Sequence, residues 1–190
     1  TAHKIFGPMG IGALYVGKKP RVRLEPIFSG GGQEKGLRSG TLAPALCVGL
    51  GEALRIADEE MLGDAARLGA LRDQMWQRLN GAVPGLVLNG SMTNRIGVNL
   101  NFSVDGADAE SLMAALPGLA VSSGSACSSA SDDSSHVLKA IGLSNALAEA
   151  SLRIGLGRFT TAEEVESATN QLIKAITTVR DGRYQIAAAE

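Results

Sequence analysis

This chain has few of the residues on which metal sites, disulfide frameworks and aromatic cores depend. It carries two cysteines, Cys47 and Cys127, and two histidines in 190 residues. Spread as they are, these offer none of the ligand spacings of a zinc site, so no metal-binding residue is expected. Two cysteines also exclude a disulfide framework, and a reducing compartment fits: the cytoplasm or, in a eukaryote, the mitochondrial matrix. No run of about 18 apolar residues occurs, which excludes a transmembrane helix and argues against a membrane partner. Charge of one sign is missing too. A formal net charge of -1 speaks against nucleic acid as the main partner. Thr1 is not an initiator methionine, so the lack of a signal peptide carries no weight.

Glycine and aliphatic residues are plentiful. With 24 glycines and 45% hydrophobic residues, the composition suits an α/β protein rich in tight turns. The length allows one core, or one domain plus part of another. Residues 11–16 read as a buried strand closed by a turn over 17–20, and alternation over 21–24 predicts a second short strand. A polar, Gly-rich loop ends in Arg38-Ser39-Gly40-Thr41. Thr41 reads as the N-cap of a helix over 42–60, with Pro44 in its first turn. Cys47 in that helix reads as a small buried hydrophobe. Leu68, Leu71, Met75 and Leu79 recur at helical spacing in a second helix over 65–79. Strands are expected over 86–88, 98–104, 119–121 and 152–156. Asp108 caps a helix over 109–116, and Ser134 or Ser135 opens one over 137–141. Thr161 and Glu164 form a capping box for a last helix reaching Arg180. The pattern changes between Arg55 and Gly63, which divides the chain into 1–60 and a compact α+β unit over 61–190.

Two stretches carry chemistry. Residues 122–131 consist only of Ser, Gly, Ala and Cys, too small to pack a core, so they predict a loop with Cys127 in its middle. An accessible thiol is a nucleophile if its pKa is lowered or a substrate is brought to it; otherwise it is a small loop residue. The other stretch is the beginning. Lys4, beside His3 and just ahead of Gly7-Pro8, can hold a cofactor aldehyde through its amine, or be a solvated charge. Arg153 lies on an expected strand amid apolar residues and needs a partner, either a substrate carboxylate or a structural ion pair. The helix start at Thr41 can accept a phosphate or be an ordinary capped end. Arg158 supports the neighbouring turn, and His136 reads as structural.

Four segments in order carry a resemblance. They are Thr1-Ala2-His3-Lys4-Ile5-Phe6-Gly7-Pro8, Arg38-Ser39-Gly40-Thr41, Ser122-Ser123-Gly124-Ser125-Ala126-Cys127, and the run from Arg153 through Gly155, Gly157 and Arg158 to Thr160. Together they resemble the C-terminal half of the pyridoxal-phosphate-dependent cysteine desulfurases of the iron–sulfur-cluster type. The match is to the NifS/IscS-like branch with a long cysteine loop. The resemblance implies an α/β protein of transferase fold type I. Residues 1–60 would be the end of the large domain with its bridging helix, and 61–190 the small C-terminal domain.

The resemblance also implies roles. Lys4 would hold pyridoxal 5'-phosphate, with Thr1 and His3 beside it. Thr41 would reach the cofactor phosphate of the other subunit of a homodimer. Arg153 would bind the carboxylate of L-cysteine. Cys127 would take the substrate sulfur, leaving L-alanine and a persulfide for an iron–sulfur scaffold or another acceptor. The sequence departs from the family at Met9, Gln33, residues 132–134 and the tail over 182–190. The family's ring-stacking residue, its acid at the pyridine nitrogen and part of its phosphate cup precede the lysine. An N-terminal half is therefore expected as a partner, and the 190 residues alone are expected to be inactive. Two other readings remain open: a non-catalytic interaction fragment, and a selenocysteine lyase.

Overall fold

The computed structural model describes residues 1–20, 22–123 and 135–182. The chain divides into two compact units, Thr1–Leu62 and Gly63–Glu190, with the division inside helix α1, Pro44–Ala82.

The first unit begins with a single 3-10 turn, Ala2–Ile5. Phe6 closes it in the left-handed region (φ 63°), and the Gly7 amide donates to the Ala2 carbonyl at 2.9 Å. Ala2 is fully buried. Glycine at position 7 is what lets this turn sit on α1: a Cβ there would stand 2.9 Å from Ala53 Cβ and 3.0 Å from Ala2 Cβ. Pro8 packs the same way over Gly49, where a Cβ would meet its ring at 2.8 Å. The expected strands over 11–16 and 21–24 do not form; Arg21 lies outside the described residues, and the rest have no strand structure. Leu14 and Tyr15 are 77% and 91% exposed. A strand exists only through its neighbour's backbone groups, and none pairs with this segment among the described residues.

Thr41 is not a helix cap. Helix α1 starts at Pro44, three residues later. Proline sets the first-turn φ and pushes the residue before it out of the α region, which fixes the start there. Cys47 is half-buried rather than buried. The two helices expected over 42–60 and 65–79 are one, because the single Gly63 between them costs only about 1 kcal/mol, less than is needed to break a packed helix.

In the second unit four strands form an antiparallel sheet in the order β1-β2-β4-β3. They are β1 (Leu86–Leu88), β2 (Asn99–Val104), β3 (Ser122–Ser123) and β4 (Ser151–Gly155). Alternation in β2 and β4 sorts the side chains by face. Leu100, Phe102, Val104, Leu152 and Ile154 point into a core completed by Leu68, Met75 and Leu79 of α1. Helix α5, Ala162–Arg180, covers it with Val165, Leu172 and Ile176. The expected capping box of α5 is present. Thr161 Oγ1 accepts from the Glu164 amide at 3.2 Å, and Glu164 Oε2 accepts from the Thr161 amide at 2.9 Å. Helix α2, Ala109–Ala114, starts at the expected cap, with Asp108 Oδ1 accepting from the Ser111 amide at 2.7 Å.

Helix α3, His136–Ala140, follows Ser135, whose side chain makes no capping bond. Ser134 lies outside the described residues. The strand expected over 119–121 is displaced to Ser122–Ser123, the residues that pair with β4. Helix α4, Asn145–Glu149, was not foreseen; at little more than one turn it is too short to show a period.

Candidate active site

Thr1, His3 and Lys4 share the 3-10 turn at the start of the first unit. The turn is tethered by the Ala2 amide donating to the Ile11 carbonyl at 3.0 Å. Thr1 Oγ1 lies 3.0 Å from His3 Nδ1 and 3.4 Å from the Ile11 carbonyl, so the hydroxyl fixes one edge of the imidazole. The other ring nitrogen of His3, and the Lys4 amine, have no partner among the described residues. An exposed primary amine, an imidazole edge and a hydroxyl within four residues are the donor set that an aldehyde bearing a phosphate ester would use. The turn therefore fits such a cofactor. Thr41 is exposed on its own loop, where Gln33 Oε1 accepts from the Gly40 amide at 3.1 Å. Its hydroxyl is bonded to none of the described residues.

Arg153 belongs to the second unit, and its setting differs from the one expected. The apolar neighbours Leu152 and Ile154 face the core, whereas Arg153 is exposed on the opposite face of β4. No acidic side chain pairs with it among the described residues, so the structural ion pair is not seen there. It is flanked across the ladder by Asn101 of β2 and Ser122 of β3. A guanidinium left unpaired on a polar sheet face is suited to a carboxylate brought from solution.

Arg158 has the supporting role expected. Its Nε donates to Asp64 Oδ2 at 2.9 Å, and Arg67 donates to the Arg158 carbonyl. The Arg158 hydrogen bond holds the Asp64 carboxyl below its ordinary range. Cys127 lies outside the described residues, as do residues 124–134 as a whole.

Sequence reasoning missed a polar network behind Arg153. Asn89 and Ser103 and Ser151 are buried, with Asn89 Nδ2 donating to Ser151 Oγ at 3.0 Å and to Asn101 Oδ1 at 2.6 Å. The signal was in the strand itself. Asn99, Asn101 and Ser103 alternate with Leu100, Phe102 and Val104, which marks a polar face that stays polar where it is covered.

Residues 1–167 match the class-V aminotransferase family. The chain is 52% identical over 181 residues to the cysteine desulfurase IscS of Pseudomonas aeruginosa, covering 95% of this chain and 45% of that protein. The IscS of Histophilus somni is similar to the same degree. Among solved structures, a NifS-like protein superposes with a TM-score of 0.80 at 30% identity, over 93% of this chain and 45% of its own. DndA from Streptomyces lividans gives 0.62 at 30% identity, over 82% and 44%. The chain thus spans about half the length of the relatives it matches. With the lysine turn, the unpaired arginine and a family match over most of its residues, the chain belongs to the class-V aminotransferases.

Proposed function

We propose that this chain is the C-terminal half of a pyridoxal-phosphate-dependent cysteine desulfurase, which takes sulfur from L-cysteine, leaves L-alanine and carries the sulfur as a persulfide on Cys127. One observation carries the reading most. Ser122, five residues ahead of Cys127 in sequence, is the cross-strand partner of Arg153. The root of the cysteine stretch and the only unpaired arginine on that sheet face, among the described residues, are thus neighbours.

Each side chain has a task in this reading. When bound, pyridoxal phosphate supplies an electron sink that lets a proton leave the substrate Cα. Lys4 holds the cofactor and moves the proton between Cα and the cofactor. His3, oriented by Thr1, and Thr41 serve the cofactor, with Thr41 reaching the phosphate of the second subunit. Arg153 fixes the substrate carboxylate with its planar fork. The Cys127 thiolate attacks the substrate sulfur. An S–S bond forms as the Cβ–S bond breaks, and the carbon takes a proton to become the methyl of alanine. Sulfur is oxidised to the sulfane level and carbon is reduced by the same two electrons, so no outside oxidant is needed.

The domain division assigned is the end of a large domain over 1–60 and a small domain over 61–190. The partners are a homodimer mate, an N-terminal half and a sulfur acceptor such as an iron–sulfur scaffold. The compartment is the bacterial cytoplasm; the named relatives are bacterial, and none supports a mitochondrial setting. The test is Cys127→Ser in the protein completed by its N-terminal half. Cofactor absorbance is expected to persist while the added sulfur mass on the protein disappears. Sulfur on the serine variant, or on Cys47 in its place, refutes the assignment.

A further inference from the structure

The polar face of the β2–β4 ladder is divided. At one end it is roofed by α4, where Ser151 Oγ donates to the Leu147 carbonyl at 2.8 Å. At the other end it is open, and it carries Asn101, Arg153 and Gly155. A Cβ on Gly155 would meet nothing within 4 Å among the described residues.

The network behind the open end has a direction, set by one group that can only accept. The Leu147 carbonyl takes the single hydroxyl proton of Ser151. Ser151 Oγ must then accept from Asn89, which places the amide nitrogen of Asn89 on that side, at 3.0 Å. Asn89 Oδ1 then faces Ser103 Oγ at 3.0 Å, whose single proton it shares with Ser151 Oγ at 2.9 Å. The second Asn89 Nδ2 proton goes to Asn101, at 2.6 Å, so Asn101 must present its oxygen to the network. Its NH2 group is left over. Neither proton of Asn101 Nδ2 has a partner among the described residues, and Arg153, directly across the ladder, has none either. Side chains so opposed have Cβ atoms about 4.5–5.5 Å apart, within reach of the two oxygens of one carboxylate.

We infer that Asn101 is a second donor to the substrate carboxylate that Arg153 receives, and that Asn89, Ser103 and Ser151 hold its amide in the donating orientation. The inference rests on the reading of Arg153 given above, and it deepens it. A charged fork and a neutral NH2 on one rigid ladder define a site for a carboxylate of a small amino acid. A buried network that fixes which end of an amide faces out removes the cost of choosing it on binding.

The test uses Asn101→Asp. Aspartate keeps the oxygen that faces Asn89, so the network and the fold persist, and it replaces the outward NH2 by an oxygen that repels an anion. The 190-residue chain, labelled with nitrogen-15, is titrated with propionate and, as the uncharged control, propionamide. The Asn101 side-chain NH2 pair and the Arg153 Nε–H are expected to shift together and saturably with propionate alone. In Asn101→Asp the propionate affinity is expected to fall about tenfold or more, the scale of a hydrogen bond to a charged group. A shift at Arg153 without one at Asn101, or an affinity within about twofold of the parent in the variant, overturns the role of Asn101 and leaves Arg153 standing. No shift at either residue overturns both. In the completed enzyme the same variant is expected to raise KM for cysteine far more than it lowers kcat, and a fall in kcat alone counts against a binding role. Formation of the Cys127 persulfide by the parent enzyme reports on the desulfurase reading separately.

Discussion

Arg153 shows how one residue's meaning depends on which way its strand turns it. Flanked in sequence by Leu152 and Ile154, it reads as a charge in an apolar setting, yet those neighbours point to the core and it does not. It needs no structural partner, because on that face water serves it. Lysine at this position keeps the charge and loses the planar fork that matches a carboxylate. In the completed enzyme Arg153→Lys is expected to weaken substrate binding by about 1.5–3 kcal/mol, the range for hydrogen bonds to charged groups. Measurement of KM and kcat for cysteine decides it: a Michaelis constant that does not move makes Arg153 a structural residue. Thr41 is the opposite case. The sequence marks it as a cap, but Pro44 takes the helix start, so its hydroxyl is left for another use.

At the scale of elements, what was legible in the sequence is what local chemistry decides. The capping box of α5 and the Asp108 cap of α2 are closed within four residues, and both are where the sequence puts them. The sequence also puts an apolar stripe on α5 over Val165, Ala168, Leu172, Ile173 and Ile176; all but Ile173, which is half-buried, are buried, because helical spacing alone brings them to one face. The failures are elements that depend on distant partners. Residues 11–16 have strand composition, but no described strand pairs with them, and β3 is placed by its pairing with Arg153 and Leu152 instead of by its own apolar run. Of the candidate site, the residue types were legible and the network that orients Asn101 was not, since its members are spread from Asn89 to Ser151.

Helix α1 offers a test of packing inside the second unit. Gly97 lies against it so closely that a Cβ would stand 2.7 Å from the Ala65 carbonyl and 3.0 Å from the Gly69 amide nitrogen. Those are backbone atoms and cannot step aside. Gly97→Ala is expected to destabilise by about 1–3 kcal/mol. Gly63, in the same helix, has nothing among the described residues within 4 Å of a built Cβ. Gly63→Ala is expected to stabilise by about 0.4–1 kcal/mol, by reducing the freedom of the unfolded chain. Urea unfolding of both variants checks the pair. Equal effects of the same sign would show that the close approach at Gly97 is not what holds that loop.

The molecule as a whole raises the question of how much of an active site these residues hold. In the proposed reading Lys4, His3 and Thr1 bind and orient a cofactor, but tuning it is another matter. An electron sink works best when a charged group pairs with its ring nitrogen and a flat side chain holds the ring in place. Neither task falls to any of the residues assigned here, and the relatives are about twice as long as this chain. The first unit points the same way. Leu14, Tyr15, Ile27 and Phe28 are 77%, 91%, 90% and 66% exposed, large apolar side chains that a partner would cover. The second unit has its own core, caps and closed hydrogen-bond networks and is expected to fold without help. Purified alone and given pyridoxal phosphate and cysteine, the chain is therefore expected to form no alanine, and to do so once a separately made N-terminal half is added. Alanine and sulfide measured before and after that addition decide the matter. Full turnover by the 190 residues alone would mean that the lysine turn, the arginine ladder and the cysteine stretch already make a complete site.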